Sequence, residues 1–159
     1  MIQQINPSAI KVLIQAPASK RVVQRTLATS LLCNGKSILN GYTPCDDSII
    51  ALQIIKSLGA TVAQNGRELI IEGCLPIFQP PMARKINCGE SGLSSRLFAP
   101  LSLLYGNEIE VSGEGSLLNR QFSNMEHPFE QLGVQCKTNK GYLPLHLSGQ
   151  LKAGRINVD

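Results

Sequence analysis

RTLATSLLCNGKSILNG, residues 25–41, is echoed 71 positions later by RLFAPLSLLYGNEIEVSG, residues 96–113. The echo continues with SLGATV (57–62) against QLGVQC (131–136) and LIIEG (69–73) against LHLSG (145–149), where the offset has grown to 76. A slowly drifting offset is what duplicated supersecondary units with small loop insertions produce. One such unit cannot close a core alone, so the two copies have to be read together. Each also carries an arginine at the same place, Arg25 and Arg96.

Local pattern fills in the copied unit. Residues 11–16 read as a strand ending at Pro17, and Ser19 as an N-cap. Val23, Leu27 and Leu31, four apart, predict a helix over about 20–33, stopped near Asn34-Gly35. Residues 37–40 read as a strand, and Asp46 as the cap of a helix with Ile50, Ile54, Ile55 and Leu58 inward and Gly59 just past its end. Strands at 61–64 and 68–72 flank the hairpin signal Asn65-Gly66. The second copy runs in the same order: strand 85–88, helix 93–105 with Leu97, Leu101 and Leu104 inward, strand 108–112, helix about 123–132, and a hairpin of 135–138 with 143–148. Pro100 should cost the third helix a hydrogen bond and kink it.

The fold class is therefore mixed α/β (α+β), built from repeated β-α-β-α-β-β units. The expected divisions are an initial strand segment at 1–18, a first unit at 19–73, a Pro-rich linker at 74–83, a second unit at 84–150 and the opening of a third at 151–159. That last expectation rests on GRINVD (154–159) resembling ARKINCG (83–89), the opening strand of copy two, and implies a truncated third unit.

Composition narrows the chemistry. With 159 residues and 43% apolar content the chain can bury a core. It has no apolar run of membrane-spanning length and no signal-type start, so the expected location is cytoplasmic. Five cysteines without a CxxC pair suit reduced thiols. Two separated histidines argue against a zinc site. The net charge of +4 is uneven: residues 1–45 carry Lys11, Lys20, Arg21, Arg25 and Lys36 with no acid, and the remainder sums to −1. Such a segment calls for an external anion. Aromatics at 4% and the lack of an RNP-type or Cys/His motif favour a small phosphorylated ligand over nucleic acid.

Both copies place small or polar residues at a helix start with arginine inside the helix, ASKRVVQR and ESGLSSR. Unpaired N–H groups and the macrodipole at such an end bind phosphate or carboxylate. Arg21 and Arg25 share one helix face, and Lys20 lies in the first turn. Gly92 permits close backbone approach, and Arg120 in GEGSLLNRQ (113–121) is placed to clamp an anion. Asp46 and Asp47 read first as helix caps, with an ionic role for Asp47 as the second reading. Glu90 reads either as a helix-start carboxylate or as a ligand-facing group.

PASKRVVQR (17–25), PCDD (44–47), CGESGLSSRLFAPL (88–101) and GEGSLLNR (113–120), in this order and spacing, resemble the N-terminal part of the 5-enolpyruvylshikimate-3-phosphate synthase (3-phosphoshikimate 1-carboxyvinyltransferase) family. The resemblance covers residues 14–159. It implies two domains of three units each, with substrates in the cleft between them. The implied reaction moves the enolpyruvyl group of phosphoenolpyruvate to the 5-hydroxyl of shikimate 3-phosphate with release of phosphate, in the shikimate pathway to chorismate and aromatic amino acids. No metal or organic cofactor, nucleic acid or membrane is implied, and the whole enzyme would be a monomer. By the same resemblance Lys20 touches both substrates and is the catalytic candidate, Arg21 and Arg25 stand at shikimate 3-phosphate, Gly92 and Arg120 at phosphoenolpyruvate, and Asp47, Glu90 and Arg96 near the cleft.

The chain departs from the family pattern at four places. Arg21 stands for a serine, Glu90 and Leu93 for the Asn and Thr of N-x-G-T, and Leu97 for a proline. The family's main carboxylate acid and base candidates fall beyond residue 159, so the isolated chain is expected to be catalytically silent. Two alternatives stay beside this reading: a non-catalytic anion-binding repeat module, and the sister enolpyruvyl transferase acting on UDP-N-acetylglucosamine. The latter typically has a cysteine in the loop matching 113–120, where this chain has none.

Overall fold

The computed structural model describes residues 3–4, 9, 11–75 and 85–157. Its elements run α1 (Lys20–Leu31), β1 (Lys36–Asn40), α2 (Asp46–Ser57), β2 (Thr61–Asn65), β3 (Glu68–Glu72), then β4 (Lys85–Asn87), α3 (Gly92–Ser102), β5 (Glu108–Ser112), α4 (Glu126–Gln131), β6 (Val134–Asn139) and β7 (Tyr142–Gly149). Two short 3₁₀ segments, Gly115–Asn119 and Ser123–Met125, lie between β5 and α4. Residues 76–84, which include most of the expected linker at 74–83, and the final residues 158–159 lie outside the described residues.

Three strands make one sheet in the order β1-β3-β2, all antiparallel, and four make the other in the order β4-β5-β7-β6. In each sheet the second strand of the hairpin sits centrally, between its hairpin partner and the strand before α2 or α4. The second sheet adds β4, parallel to β5. In the first, residues 11–19 form no regular element, against the expected strand at 11–16. A strand exists through a ladder partner, and 11–16 has none among the described residues. Val12, Leu13 and Ile14 are exposed as a result.

Period-two alternation buries Leu69 and Ile71 on β3, Ile109 and Val111 on β5, and Leu143, Leu145 and Leu147 on β7. The helices cover these faces. Val23, Leu27 and Leu31 of α1 point inward as their spacing predicted, as do Ile54 and Ile55 of α2. Helix α2 starts at a different cap from the one expected. Cys45 is the N-cap, the Ser48 hydroxyl accepts its N–H at 2.9 Å, and Asp46 is the first helical residue. At the other end Gly59 and Ala60 donate to the carbonyls of Lys56 and Ile55, closing the helix as its glycine predicts.

Helix α3 turns a different face inward from the one its leucines suggested. Phe98, Ala99, Ser94, Ser95 and Ser102 are buried, Leu97 and Leu101 are half-buried, and Leu104 is exposed. Ser95 and Ser102 are tolerated because their hydroxyls are spent locally, Ser95 on the Gly92 carbonyl at 3.0 Å and Ser102 on that of Phe98 at 2.6 Å. Pro100 leaves the Arg96 carbonyl without its helical donor, and α3 ends two residues later. The helix expected over 123–132 is a 3₁₀ turn followed by the shorter α4.

Candidate functional site

Lys20 is the first residue of α1. Ser19 holds the N-cap position, but its hydroxyl makes no capping bond, so the first-turn N–H groups have no side-chain acceptor. The Lys20 ammonium pairs with Asp47 in the first turn of α2, Nζ to Oδ2 at 2.8 Å. The hydrogen bond and the charge of Asp47 raise the Lys20 pKa above its ordinary 10.5. Asp47 therefore takes an ionic role. Arg21 and Arg25 lie exposed one turn apart, Arg25 Nη1 donating to the Arg21 carbonyl at 3.4 Å. Arg25 and Arg96 share a groove of about 420 Å³ between α1 and α3, floored by Ala28, Leu97 and Leu101.

The start of α3 is capped, with the Ser91 hydroxyl accepting the Ser94 N–H at 3.2 Å. Gly92 opens the helix against the Arg120 guanidinium. A Cβ at residue 92 would stand 2.5 Å from Arg120 Nη1. Arg96 donates to the Gly92 carbonyl at 3.2 Å and lies over the Phe122 ring, 5.0 Å from its centroid. Arg120 follows the 3₁₀ turn Gly115–Asn119, an element the sequence reading passed over as loop.

Glu90 reaches to the 3₁₀ turn Gly115–Asn119. Its Oε2 accepts the Ser116 N–H at 2.9 Å. The Ser116 hydroxyl and N–H hold its pKa below the ordinary 4.5; burial opposes them, and the charge of Arg120 adds the smallest effect, also lowering it. The carboxylate is thus ionised and paired at neutral pH.

Gln24 joins these pieces, and the sequence reading missed it. Its fully buried Nε2 donates to the hydroxyls of Ser91 (2.8 Å) and Ser94 (2.9 Å) at the head of α3, and weakly to the Asp47 carbonyl (3.5 Å) at the head of α2. The signal was an amide inside the inward stripe Val23–Leu27 of α1, where an apolar residue is the rule. One side chain therefore draws the heads of α1, α2 and α3 together, bringing the Lys20–Asp47 pair beside the Gly92–Arg120 pair. Arg21 joins neither pair through its side chain.

A concavity of about 430 Å³ over Glu108, Glu110, Lys137 and His146 contains none of these residues. No group of three or more metal-ligating side chains occurs among the described residues. All five cysteines are free thiols, and burial pushes Cys88 up to about 12 and Cys136 up to about 11, which leaves both unreactive. No helix among the described residues is long and apolar enough to cross a membrane.

The fold is that of the EPSP synthases: a solved structure of the enzyme from Acinetobacter baumannii superposes with a TM-score of 0.75 over 90% of this chain and 34% of its own length, at 23% identity. A family profile described as EPSP synthase (3-phosphoshikimate 1-carboxyvinyltransferase) matches residues 5–159, and the chain belongs to that family. Among similar curated proteins, the 3-phosphoshikimate 1-carboxyvinyltransferase of Clostridium perfringens is 30% identical over 97% of this chain and 36% of its own length. That of Korarchaeum cryptofilum is 33% identical over 98% and 37%. The chain spans little more than a third of the length of these relatives.

Proposed function

We propose that this chain supplies the anion-anchoring half of the substrate cleft of a 3-phosphoshikimate 1-carboxyvinyltransferase. In this reading residues 19–73 and 84–150 are two of the three units of one domain. The protein transfers the enolpyruvyl group of phosphoenolpyruvate to shikimate 3-phosphate in the cytoplasm, and the whole enzyme is a monomer. The observation that carries the reading is the meeting, around Gln24, of the helix heads that carry Lys20, Asp47 and Gly92, with Arg120 reaching onto Gly92 from the neighbouring 3₁₀ turn.

Each residue's part follows from its chemistry. Lys20 has three N–H donors and spends one on Asp47, leaving two for a phosphate or carboxylate oxygen. Arg120 presents a planar fork suited to the carboxylate or phosphate of phosphoenolpyruvate, and Gly92 lets that ligand approach the α3 backbone. Arg25, with Arg21 one turn before it, offers charge to shikimate 3-phosphate. Proton transfer to the phosphoenolpyruvate methylene and from the 5-hydroxyl needs positioned acid and base groups. Those groups belong, in this reading, to the remaining length of the protein, so the isolated chain binds weakly and does not turn over.

Calorimetric titration with shikimate 3-phosphate and with phosphoenolpyruvate tests this. Lys20→Ala should weaken both ligands, Arg25→Ala the first and Arg120→Ala the second, each by about tenfold or more, as expected for loss of a charge-assisted hydrogen bond. Heats equal to the parent's in all three variants would remove these residues from the site. Substantial phosphate release by the isolated chain would overturn the assignment of catalysis to its missing remainder.

A further inference from the structure

Two neighbouring loops exchange side chains. Glu90, in the loop between β4 and α3, reaches across to the 3₁₀ turn Gly115–Asn119, where its carboxylate accepts the Ser116 N–H at 2.9 Å and lies against Gly115. A Cβ at Gly115, whose φ is +49°, would overlap the carboxyl group. Arg120, at the far end of the same turn, reaches back to lie against Gly92 at the head of α3. Each reaching side chain passes over a glycine of the opposite loop, so the two glycines make room for the exchange.

Further bonds hold the loops in register beneath it. The Glu114 N–H donates to the Gly89 carbonyl at 2.8 Å, and Asn87 Nδ2 donates to Glu114 Oε1 at 2.6 Å while its Oδ1 accepts the Gly89 N–H at 2.9 Å. β4 and β5, which lead into the two loops, are parallel neighbours. These bonds fasten residues 87–89 to Glu114, and within the turn the Leu117 N–H donates to the Glu114 carbonyl at 3.0 Å and the Arg120 N–H to the Leu117 carbonyl at 3.1 Å, with the Leu117 side chain buried. Glu90 adds a side-chain tie from the β4–α3 loop to Ser116.

We infer that Glu90 is a positioning residue for the anion site: by accepting the Ser116 N–H it fixes the turn that carries Arg120 and keeps the guanidinium at the head of α3. The inference rests on the reading of Gly92 and Arg120 as an anion site given above. It also assigns Glu90 a role facing the protein and not the ligand. A carboxylate pointed at an incoming phosphate would repel it, whereas here the charge is held by a backbone donor with Arg120 close by. An uncharged acceptor of the same shape should serve the same purpose.

The test compares the parent chain with Glu90→Ala, Glu90→Gln and Arg120→Ala by ¹⁵N NMR at pH 7, titrating inorganic phosphate and phosphoenolpyruvate. In Glu90→Ala, Ser116 amide exchange should accelerate about tenfold, as loss of one hydrogen bond to a charged acceptor predicts. The Arg120 Nε–H should become mobile, and phosphoenolpyruvate affinity should fall by a similar factor. Glu90→Gln should restore all three, because its side-chain carbonyl accepts the same N–H. A merely structural loss would instead speed exchange throughout α3 and β5 and would leave Arg120 ordered in the folded fraction.

Unchanged Ser116 exchange and Arg120 order in Glu90→Ala would overturn the inference, and so would a Glu90→Gln variant as loose as Glu90→Ala. If Glu90→Ala frees Arg120 while the parent shows no response to either ligand, the positioning role stands and the anion-site reading falls. Arg120→Ala separates the cases further, since it should weaken phosphoenolpyruvate binding by about tenfold or more while leaving Ser116 protected.

Discussion

Lys20 is paired with Asp47 in the folded chain. Its bond to Asp47 at 2.8 Å raises its pKa above 10.5, so the folded state holds the proton more tightly than the unfolded chain does. The pair's contribution to stability is therefore complete below pH 10.5 and is lost as the pH rises through the folded-state value. Over the neutral range the cation is intact, and Asp47 competes with any anion for it. Asp47→Asn keeps the side-chain shape and removes the competing charge. The Lys20 titration midpoint, followed by NMR at its side chain, should fall back toward 10.5. Phosphate affinity should rise by about two- to threefold, the scale of one exposed ion pair. Lower affinity in Asp47→Asn would mean that the carboxylate aims the ammonium at the ligand, and that its competition is the smaller effect.

At the scale of elements, α3 opens on a glycine with the Arg120 guanidinium against it. Alanine at residue 92 should gain up to about 1 kcal/mol of helix propensity. Its methyl would nevertheless meet Arg120 Nη1 at 2.5 Å, and a guanidinium on a flexible stem yields more easily than backbone. Gly92→Ala should thus unfold at the same or higher urea concentration while binding phosphoenolpyruvate about tenfold more weakly. Loss of both stability and binding would place the damage in the helix start itself. Elements of this kind divide by how much of them the sequence exposes. The stripe of α1, the β5 strand and the β3 and β7 alternation are legible because a single period sets each of them. The hairpin turn was legible in kind, although Asn65 closes β2 and Gly66-Arg67 make the turn. The inward face of α3 was not, because its buried Ser95 and Ser102 are satisfied by carbonyls one turn away and Ser94 by Gln24, and no scale of side-chain polarity records that. Lys20, Gly92 and Arg120 stood out by residue type and position. Gln24 and the direction of Glu90 did not, since both depend on partners more than twenty residues away.

Across the whole molecule the two sheets share one core. The buried cluster runs from Leu27, Leu31, Ile55 and Ile71 on the first side to Phe98, Val111 and Leu145 on the second without a break. Polar ties cross the same boundary: Gln24 binds the head of α3, and the Tyr105 hydroxyl donates to the Cys74 carbonyl at 2.6 Å and more weakly to that of Leu31 at 3.4 Å. Burial pushes the Tyr105 hydroxyl up to about 12, so this donor keeps its proton throughout the neutral range. A shared core predicts shared unfolding. Phe98, fully buried on α3, is the residue on which to test it. Phe98→Ala should cost about 3–5 kcal/mol, a large part of the roughly 5–15 kcal/mol that holds a domain of this size. The loss should reach both sheets, with amide exchange in β3 accelerating alongside that in β7 although Phe98 belongs to the second copy. If β3 kept its protection while β7 lost it, the repeats would be independent folding units, and the alignment of Lys20 with Gly92 would have to come from Gln24 and Tyr105 alone.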